Sequence, residues 1–362
     1  MNIGILGTGN VARSYHFPAF KAIPNATITA ICDEGPKPLA LASAEFPSAR
    51  KYTQLTEMLR GEELDLVDIA TPGFTHEANI SQCLSKQVSV MVEKPTVVGE
   101  SAARKLMELE KTSGAKIYPI LNYRFRDASL QLSEAIQRGW IGTLEDLTCV
   151  QHGSSIYGNP RWAWDENRTG GLLYEWAFHL IDLSTLLLGR HKRVLGVKST
   201  FEPSLNMHTA ISALVEFNNS IATFNFKWFS SASFTRFDIS GSVSDATVKF
   251  QPDMFFLRTG DTTPLDEFLG EMRRVSQFAF SLMTRRFKQQ SYQPHLHVLS
   301  NIIESFERRT PAKVTMRDVL PTIELVDAIR SSLDGVSEDR ASVSNESPNA
   351  APPLTESELK AA

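Results

Sequence analysis

A doubly wound parallel α/β sheet, followed by an α+β unit built on antiparallel strands, is the fold class the sequence predicts. Three observations carry it. A glycine-rich turn joins a strand to a helix within residues 2–22, strands and helices alternate to about residue 121, and from about residue 194 strands follow one another directly. Alternation implies parallel strands with right-handed crossovers, whereas consecutive strands imply an antiparallel sheet. At 362 residues the chain exceeds one compact core.

The first strand is Asn2-Ile3-Gly4-Ile5-Leu6, followed by Gly7-Thr8-Gly9-Asn10-Val11-Ala12 and a helix expected over 11–22. This is a G-x-G-x-x-G/A dinucleotide fingerprint in its strand–turn–helix setting. Gly7 permits the tight turn, Gly9 lets backbone approach a pyrophosphate, and Ala12 keeps the helix close to the sheet. Asn10 and Val11 open the helix, where unpaired N–H groups face the phosphates. A second strand, 27–32, ends at Asp33, an acid suited to the ribose hydroxyls of NAD and repellent to a 2′-phosphate. Lys37 stands close enough to leave NADP open.

A third strand, 64–70, ends at Thr71-Pro72, and a helix at 76–86 leads to the buried-type strand 88–92. Glu93-Lys94-Pro95 follows. Pro95 biases Lys94 toward extended backbone, which sets it just past the strand's carboxyl end, where ligands of such sheets bind. On position alone, an exposed loop lysine fits the same residues. A helix at 100–113 and a strand at 116–121 complete the alternation.

Beyond Tyr123 the pattern is a helix at 128–138, a strand at 144–152, a Trp/Asp/Asn/Gly-rich loop and an apolar helix at 172–188. Strands follow at 194–201, 210–217, 221–229, 236–241 and 246–251, with Asn218-Asn219 as a hairpin signal. A basic helical stretch at 265–290 reads as a packed face rather than a membrane-surface helix, because Glu267 and Glu271 offset part of its charge. Helices at 295–308 and 317–333 close the fold. The boundaries expected are 1–122 for the dinucleotide-binding unit, 123–333 for a substrate and oligomerisation unit, and 334–362 for a disordered tail too polar to bury a core.

Composition narrows the function classes. A net charge of −4 with interspersed signs gives no nucleic-acid footprint. No apolar run reaches membrane-spanning length. The 3 cysteines, Cys32, Cys83 and Cys149, lie outside metal-ligand spacing, so no metal and a reduced cytoplasmic setting are expected.

In the apolar helix, Gly170-Gly171 precedes Glu175, His179 and Asp182. Glu175 and His179, four apart, share a helix face, and a carboxylate beside an imidazole orients it as a base. A core histidine satisfied by Glu175 fits the same spacing. Trp162, Trp164, Asp165 and Arg168 in the preceding loop suit a polyhydroxylated ligand, or equally an aromatic packing loop.

Taken together, the fingerprint, Thr71-Pro72, Glu93-Lys94-Pro95 and Gly170-Gly171…His179-x-x-Asp182 resemble the glucose–fructose oxidoreductase and inositol dehydrogenase (Gfo/Idh/MocA) family, in order from residue 1 to about 333. The resemblance implies a Rossmann domain joined to a C-terminal α/β domain on a large open, mostly antiparallel sheet used for oligomerisation, as a homodimer or homotetramer. It implies interconversion of alcohols and carbonyls on sugars, inositols and related compounds with NAD or NADP. Lys94 then matches the lysine at substrate and nicotinamide, His179 the catalytic histidine, and Glu175 a position more often aspartate. Thr71, Pro72 and Glu93 fall alongside the cofactor. Asn122-Tyr123-Arg124-Phe125 resembles the segment entering the second domain, with Tyr123 in place of one of two arginines and Arg124 facing substrate. Asp182 is placed at the substrate or as a brace for its helix. The same fold also resembles NAD-dependent glycosidases that use transient oxidation, and non-catalytic dinucleotide-sensing regulators such as the galactose-pathway repressor.

Overall fold

The computed structural model describes residues 1–153, 165–250, 253–259, 272, 276 and 292–339. Six parallel strands form the first sheet: β1 (Asn2–Leu6), β2 (Thr27–Cys32), β3 (Arg50–Tyr52), β4 (Leu66–Ile69), β5 (Ser89–Val92) and β6 (Ile117–Pro119), ordered β3-β2-β1-β4-β5-β6. The order reverses between β1 and β4, the switch point at which such sheets open a ligand crevice beyond the strands' carboxyl ends. β4 and β5 are buried at every residue, as strands covered on both faces must be.

The helices around this sheet are α1 (Phe17–Ala22), α2 (Pro36–Glu45), α3 (Leu55–Gly61), α4 (His76–Ser85) and α5 (Glu100–Ser113). The sequence reading assigned nothing to α2, β3 and α3. α2 buries only Ala42 and β3 buries nothing, so neither carries an apolar period to read. The helix expected over 11–22 instead opens with a π-helical turn, Ala12–His16, before α1.

The second sheet has seven strands: β7 (Leu144–His152), β8 (Arg193–Glu202), β9 (Met207–Glu216), β10 (Ile221–Lys227), β11 (Phe234–Gly241), β12 (Ser244–Phe250) and β13 (Met254–Thr259). Its order is β13-β12-β11-β7-β10-β9-β8, antiparallel throughout except for the parallel pair β7–β10. Alternate residues such as Leu147, Ile211, Phe224 and Phe237 point into the core. The opposite face carries Asn225, Ser212 and His152, joined by hydrogen bonds, beside exposed Leu214, Ile221 and Phe234.

Against this sheet, α6 (Asp127–Gln137) packs on β12 and β13, α8 (Phe178–Leu188) on β7, and α10 (Met316–Asp339) on β8 and α8; the short α7 (Glu166–Thr169) meets the 73–75 turn, and α9 (Gln293–Arg308) belongs with the first half. α9 packs on α1 and on the 3₁₀ turn Asn122–Phe125, which ties the chain's late helices to its dinucleotide-type half. α10 continues to Asp339, past the boundary expected at 333. Trp162, Trp164 and, apart from Met272 and Ser276, the stretch expected at 265–290 lie outside the described residues, as do 340–362. Among the described residues no helix is long and apolar enough to cross a membrane.

Candidate active site

The glycine turn is built for a close ligand. Gly7 has φ +88°, and a Cβ there would sit 2.8 Å from the Ala70 and Thr71 backbone, so only glycine fits. Around a Cβ placed on Gly9 there is open space to 4 Å, which is room for a pyrophosphate against bare backbone. Ala12 is fully buried while Asn10 and Val11 are exposed at the helix opening. Asn10 Oδ1 accepts from Arg13 Nη2 at 3.0 Å.

Asp33 is held rather than dangling. Its Oδ2 accepts from the Thr8 N–H at 2.7 Å and the Thr8 hydroxyl at 2.9 Å, and its Oδ1 accepts from the Gly35 N–H at 2.7 Å. Oδ1 keeps a lone pair for a ribose hydroxyl. The donor set therefore fits a dinucleotide: an acid at the end of β2, an open glycine at the turn, and free N–H groups at the helix start.

Thr71-Pro72 is braced from behind. Thr75 donates from its N–H and hydroxyl to Pro72 O, its hydroxyl oxygen accepts from the Thr71 hydroxyl, and Asn79 Nδ2 donates to Thr71 Oγ1. His76, fully buried, places Nε2 2.8 Å from Thr71 O and Nδ1 2.7 Å from Pro95 O, linking the turn after β4 to the turn after β5. Burial pushes the pKa of His76 down, against two carbonyl contacts that favour its charged form.

Beyond β5, Glu93 turns inward. Its Oε1 lies 2.9 Å from His16 Nε2 and 3.2 Å from His295 Nε2, while Oε2 accepts from the Lys94 N–H at 3.0 Å. Both carboxylate oxygens accept from the protein, and Oε2, with a single donor, keeps a lone pair. Desolvation would raise the Glu93 pKa, but the two imidazole donors hold it well below the usual carboxylate range.

Lys94 is half-buried, and its Nζ donates to the Glu175 carbonyl oxygen at 2.5 Å, one helical turn before His179. The exposed-lysine reading is therefore set aside. His179 stacks on Tyr123 with ring centroids 4.4 Å apart and planes 7° from parallel. Its Nδ1 is buried without a partner. Burial, then the Lys94 charge, press its pKa well below the ordinary histidine value, so the imidazole is neutral.

Two expectations change here. The Glu175–His179 hydrogen bond is absent, because Leu173–Ala177 forms a π-helical turn and the wider turn rotates Glu175 away from His179. Glu175 Oε1 is instead buried without a partner near Gly73, and burial raises its pKa while Lys94 partly offsets this. Arg124, expected to face substrate, and Asp182, expected either at the substrate or as a brace for its helix, are engaged with each other: Nε and Nη2 of Arg124 donate to Oδ2 and Oδ1 of Asp182, both at 2.7 Å. Thr322 Oγ1 also donates to Asp182 at 3.1 Å, and Arg124 reaches Asp318 O at 3.2 Å. This buried fork ties the 122–125 turn, α8 and α10 together, so the pair braces the site.

Arg168 lies over the Phe74 ring at 3.8 Å, beside the Thr71-Pro72 turn. Asp165 caps α7 through its backbone carbonyl, which accepts from the Arg168 and Thr169 N–H groups, and its side chain is exposed. The sequence reading missed His16, His76 and His295. His16 carries a local signal, four residues past Ala12 on the fingerprint helix; His295 has none, being 202 residues from Glu93.

A dinucleotide-type crevice flanked by a lysine and a neutral histidine defines the class: an NAD-binding oxidoreductase fold. Comparison with known proteins agrees. Residues 1–120 match the oxidoreductase family, NAD-binding Rossmann fold, and residues 129–245 match the GFO/IDH/MocA C-terminal domain. The chain belongs to the GFO/IDH/MocA oxidoreductase family. Inositol 2-dehydrogenase of Renibacterium salmoninarum is 30% identical over 156 residues, 43% of this chain and 47% of that protein. D-apiose dehydrogenase of Paraburkholderia graminis is 26% identical over 197 residues, 54% and 52% of the two chains. The chain thus spans about half the length of these curated relatives. The fold is similar to that of the WlbA dehydrogenase from Bordetella pertussis, solved with NADH and UDP-GlcNAcA, at TM-score 0.78 and 19% identity over 92% of this chain and 97% of that one.

Proposed function

We propose that this protein interconverts a secondary alcohol and a ketone on a sugar, cyclitol or sugar-derived substrate, with NAD, or NADP, as hydride partner. The observation that carries this reading is Lys94 at the carboxyl end of β5, its ammonium on the helical turn that precedes a neutral His179. Gly7, Gly9 and the helix opening at Asn10 and Val11 would hold the dinucleotide's phosphates, Asp33 its ribose, and Thr71-Pro72 would lie alongside. A bound nicotinamide supplies hydride acceptance or donation.

His179, neutral and partly exposed, accepts the hydroxyl proton as alcohol becomes ketone and returns it in the reverse direction. Lys94 stabilises the developing alkoxide, because an ammonium in a half-buried site acts with less screening than in water. Tyr123, not Glu175, sets the plane of the imidazole. Arg168 and Asp165 are assigned to the substrate rim. A homodimer or homotetramer in the cytoplasm fits the outer face of the second sheet, where Leu214 and Ile221 are exposed on neighbouring strands and Phe234 is exposed farther along. Relatives named inositol 2-dehydrogenase and D-apiose dehydrogenase support the substrate class.

The test is a panel of sugars, inositols and sugar acids run with NAD and NADP, followed by reduced-nicotinamide absorbance. Lys94→Ala and His179→Ala should each lower kcat by roughly 100-fold or more while NADH binding persists. Normal turnover in both variants sinks the mechanism.

A further inference from the structure

Four ionisable side chains lie beneath Lys94 in a buried line that the proposed chemistry does not use. Asp68, in β4, is fully buried, and its Oδ2 is 2.8 Å from His16 Nδ1; His16 Nε2 is 2.9 Å from Glu93 Oε1. His295, from α9, reaches the same Glu93 oxygen at 3.2 Å. Its other nitrogen lies 3.4 Å from Asn122 Nδ2, and its ring stacks on Tyr15 at 4.7 Å.

With the Asn122 amide nitrogen turned toward His295, the donors and acceptors take one consistent assignment. Both nitrogens of His16 face carboxylates, so both must donate and the ring is an imidazolium. His295 Nδ1 faces an amide donor, so it accepts, and its proton sits on Nε2, aimed at Glu93. Glu93 Oε1 therefore receives two N–H donors, and Oε2 receives the backbone N–H of Lys94. The carboxylate is fixed at both oxygens, by a group from the fingerprint helix and a group from α9.

We propose that His16 and His295 are positioning residues that clamp Glu93, and that this clamp fixes the backbone of Lys94 so that its ammonium points at the Glu175 turn. The clamp also makes the aim of Lys94 depend on α9 being docked on α1. It rests on the oxidoreductase reading only for what Lys94 then does. Short charge-assisted hydrogen bonds into a dry site are stiff, and a site lysine displaced by an ångström loses most of its catalytic value.

The clamp is read through the lysine itself, without turnover. The full-length protein is treated briefly with a succinimidyl ester, and Lys94 acylation is measured by peptide mass spectrometry against exposed Lys51 and Lys86 in the same molecule. His295→Ala and Glu93→Gln should raise Lys94 labelling relative to these references by roughly fivefold, as loss of one hydrogen bond would. His295→Gln, which keeps an N–H donor, should stay within about twofold of the native protein. In an active preparation, His295→Ala should lower kcat by about 10- to 100-fold with KM and NADH affinity nearly unchanged. Unchanged relative labelling in both His295→Ala and Glu93→Gln overturns the clamp. So does one zinc per chain retained through dialysis and lost in His295→Ala, since His16, Glu93 and His295 present ligand atoms within 4.8 Å of one another. If labelling responds as expected but no alcohol on the panel is oxidised, the clamp stands and the proposed reaction falls.

Discussion

At the scale of single residues, Asp182 separates two roles that one motif suggests. Its spacing from His179 reads as a substrate contact, yet its carboxylate is fully buried and forked to Arg124. Removing it leaves a guanidinium buried without its counter-ion, which costs about 3–5 kcal/mol, far more than deleting an exposed substrate contact would. Asp182→Ala should therefore lower the melting temperature by roughly 5 °C or more, seen by calorimetry. A variant with native melting and a raised KM would restore the substrate role. Tyr123 shows the converse case. Read as a departure from a paired arginine, it is the surface on which His179 lies flat, with the Arg126 guanidinium 4.9 Å from the same ring.

At the scale of elements, the glycine turn gives the cleanest contrast. Gly7→Ala places a Cβ 2.8 Å from backbone at a positive φ and should destabilise the protein by roughly 1–3 kcal/mol. Gly9→Ala meets nothing within 4 Å, so it should melt like the native protein and lose NADH affinity, measured by fluorescence titration. Equal effects of the two on melting would show that Gly9 is structural. This turn was legible because its function needs a local backbone shape, and local shape is written in adjacent residues. The same holds for Lys94, set by a strand before it and a proline after it. What the sequence did not show is pairing at a distance: Arg124 with Asp182 across 58 residues, or Glu93 with His295 across 202. The π turn at Leu173–Ala177 was equally hidden. An i, i+4 pattern assumes α-helical winding, and one wider turn was enough to part Glu175 from His179. The bracing of Thr71-Pro72 by His76 lay in between, since His76 sits on the next helix but its second contact, Pro95, does not.

At the scale of the whole molecule, these buried imidazoles pull stability in opposite directions with pH. Burial alone would hold His16 down, but Asp68 and Glu93 together raise its pKa from 6.5 to about 10. A raised folded pKa gives stability that is complete below 6.5 and lost as pH climbs toward 10. His76, His179 and His295 are all lowered from 6.5, chiefly by burial, so their contribution is complete above 6.5 and fades as pH falls below it. Glu93, held well below 4.5, adds a further loss only at more acid pH. Cys32 and Cys83, both pushed by burial from 9.0 to about 12, add to the alkaline loss only above 9.0. The interval between 6.5 and 9.0 therefore isolates His16 among these groups. Melting temperature should peak near pH 6.5 and fall by several degrees toward pH 9.0, a change on the order of a few kcal/mol. His16→Gln removes the titrating group and should flatten that slope, while Asp68→Asn, which keeps the histidine but removes one of its two anions, should halve it roughly. A native protein whose melting temperature is constant from pH 6.5 to 9.0 would mean that His16 is neutral in the fold, and the ion triad beneath Lys94 would have to be redrawn.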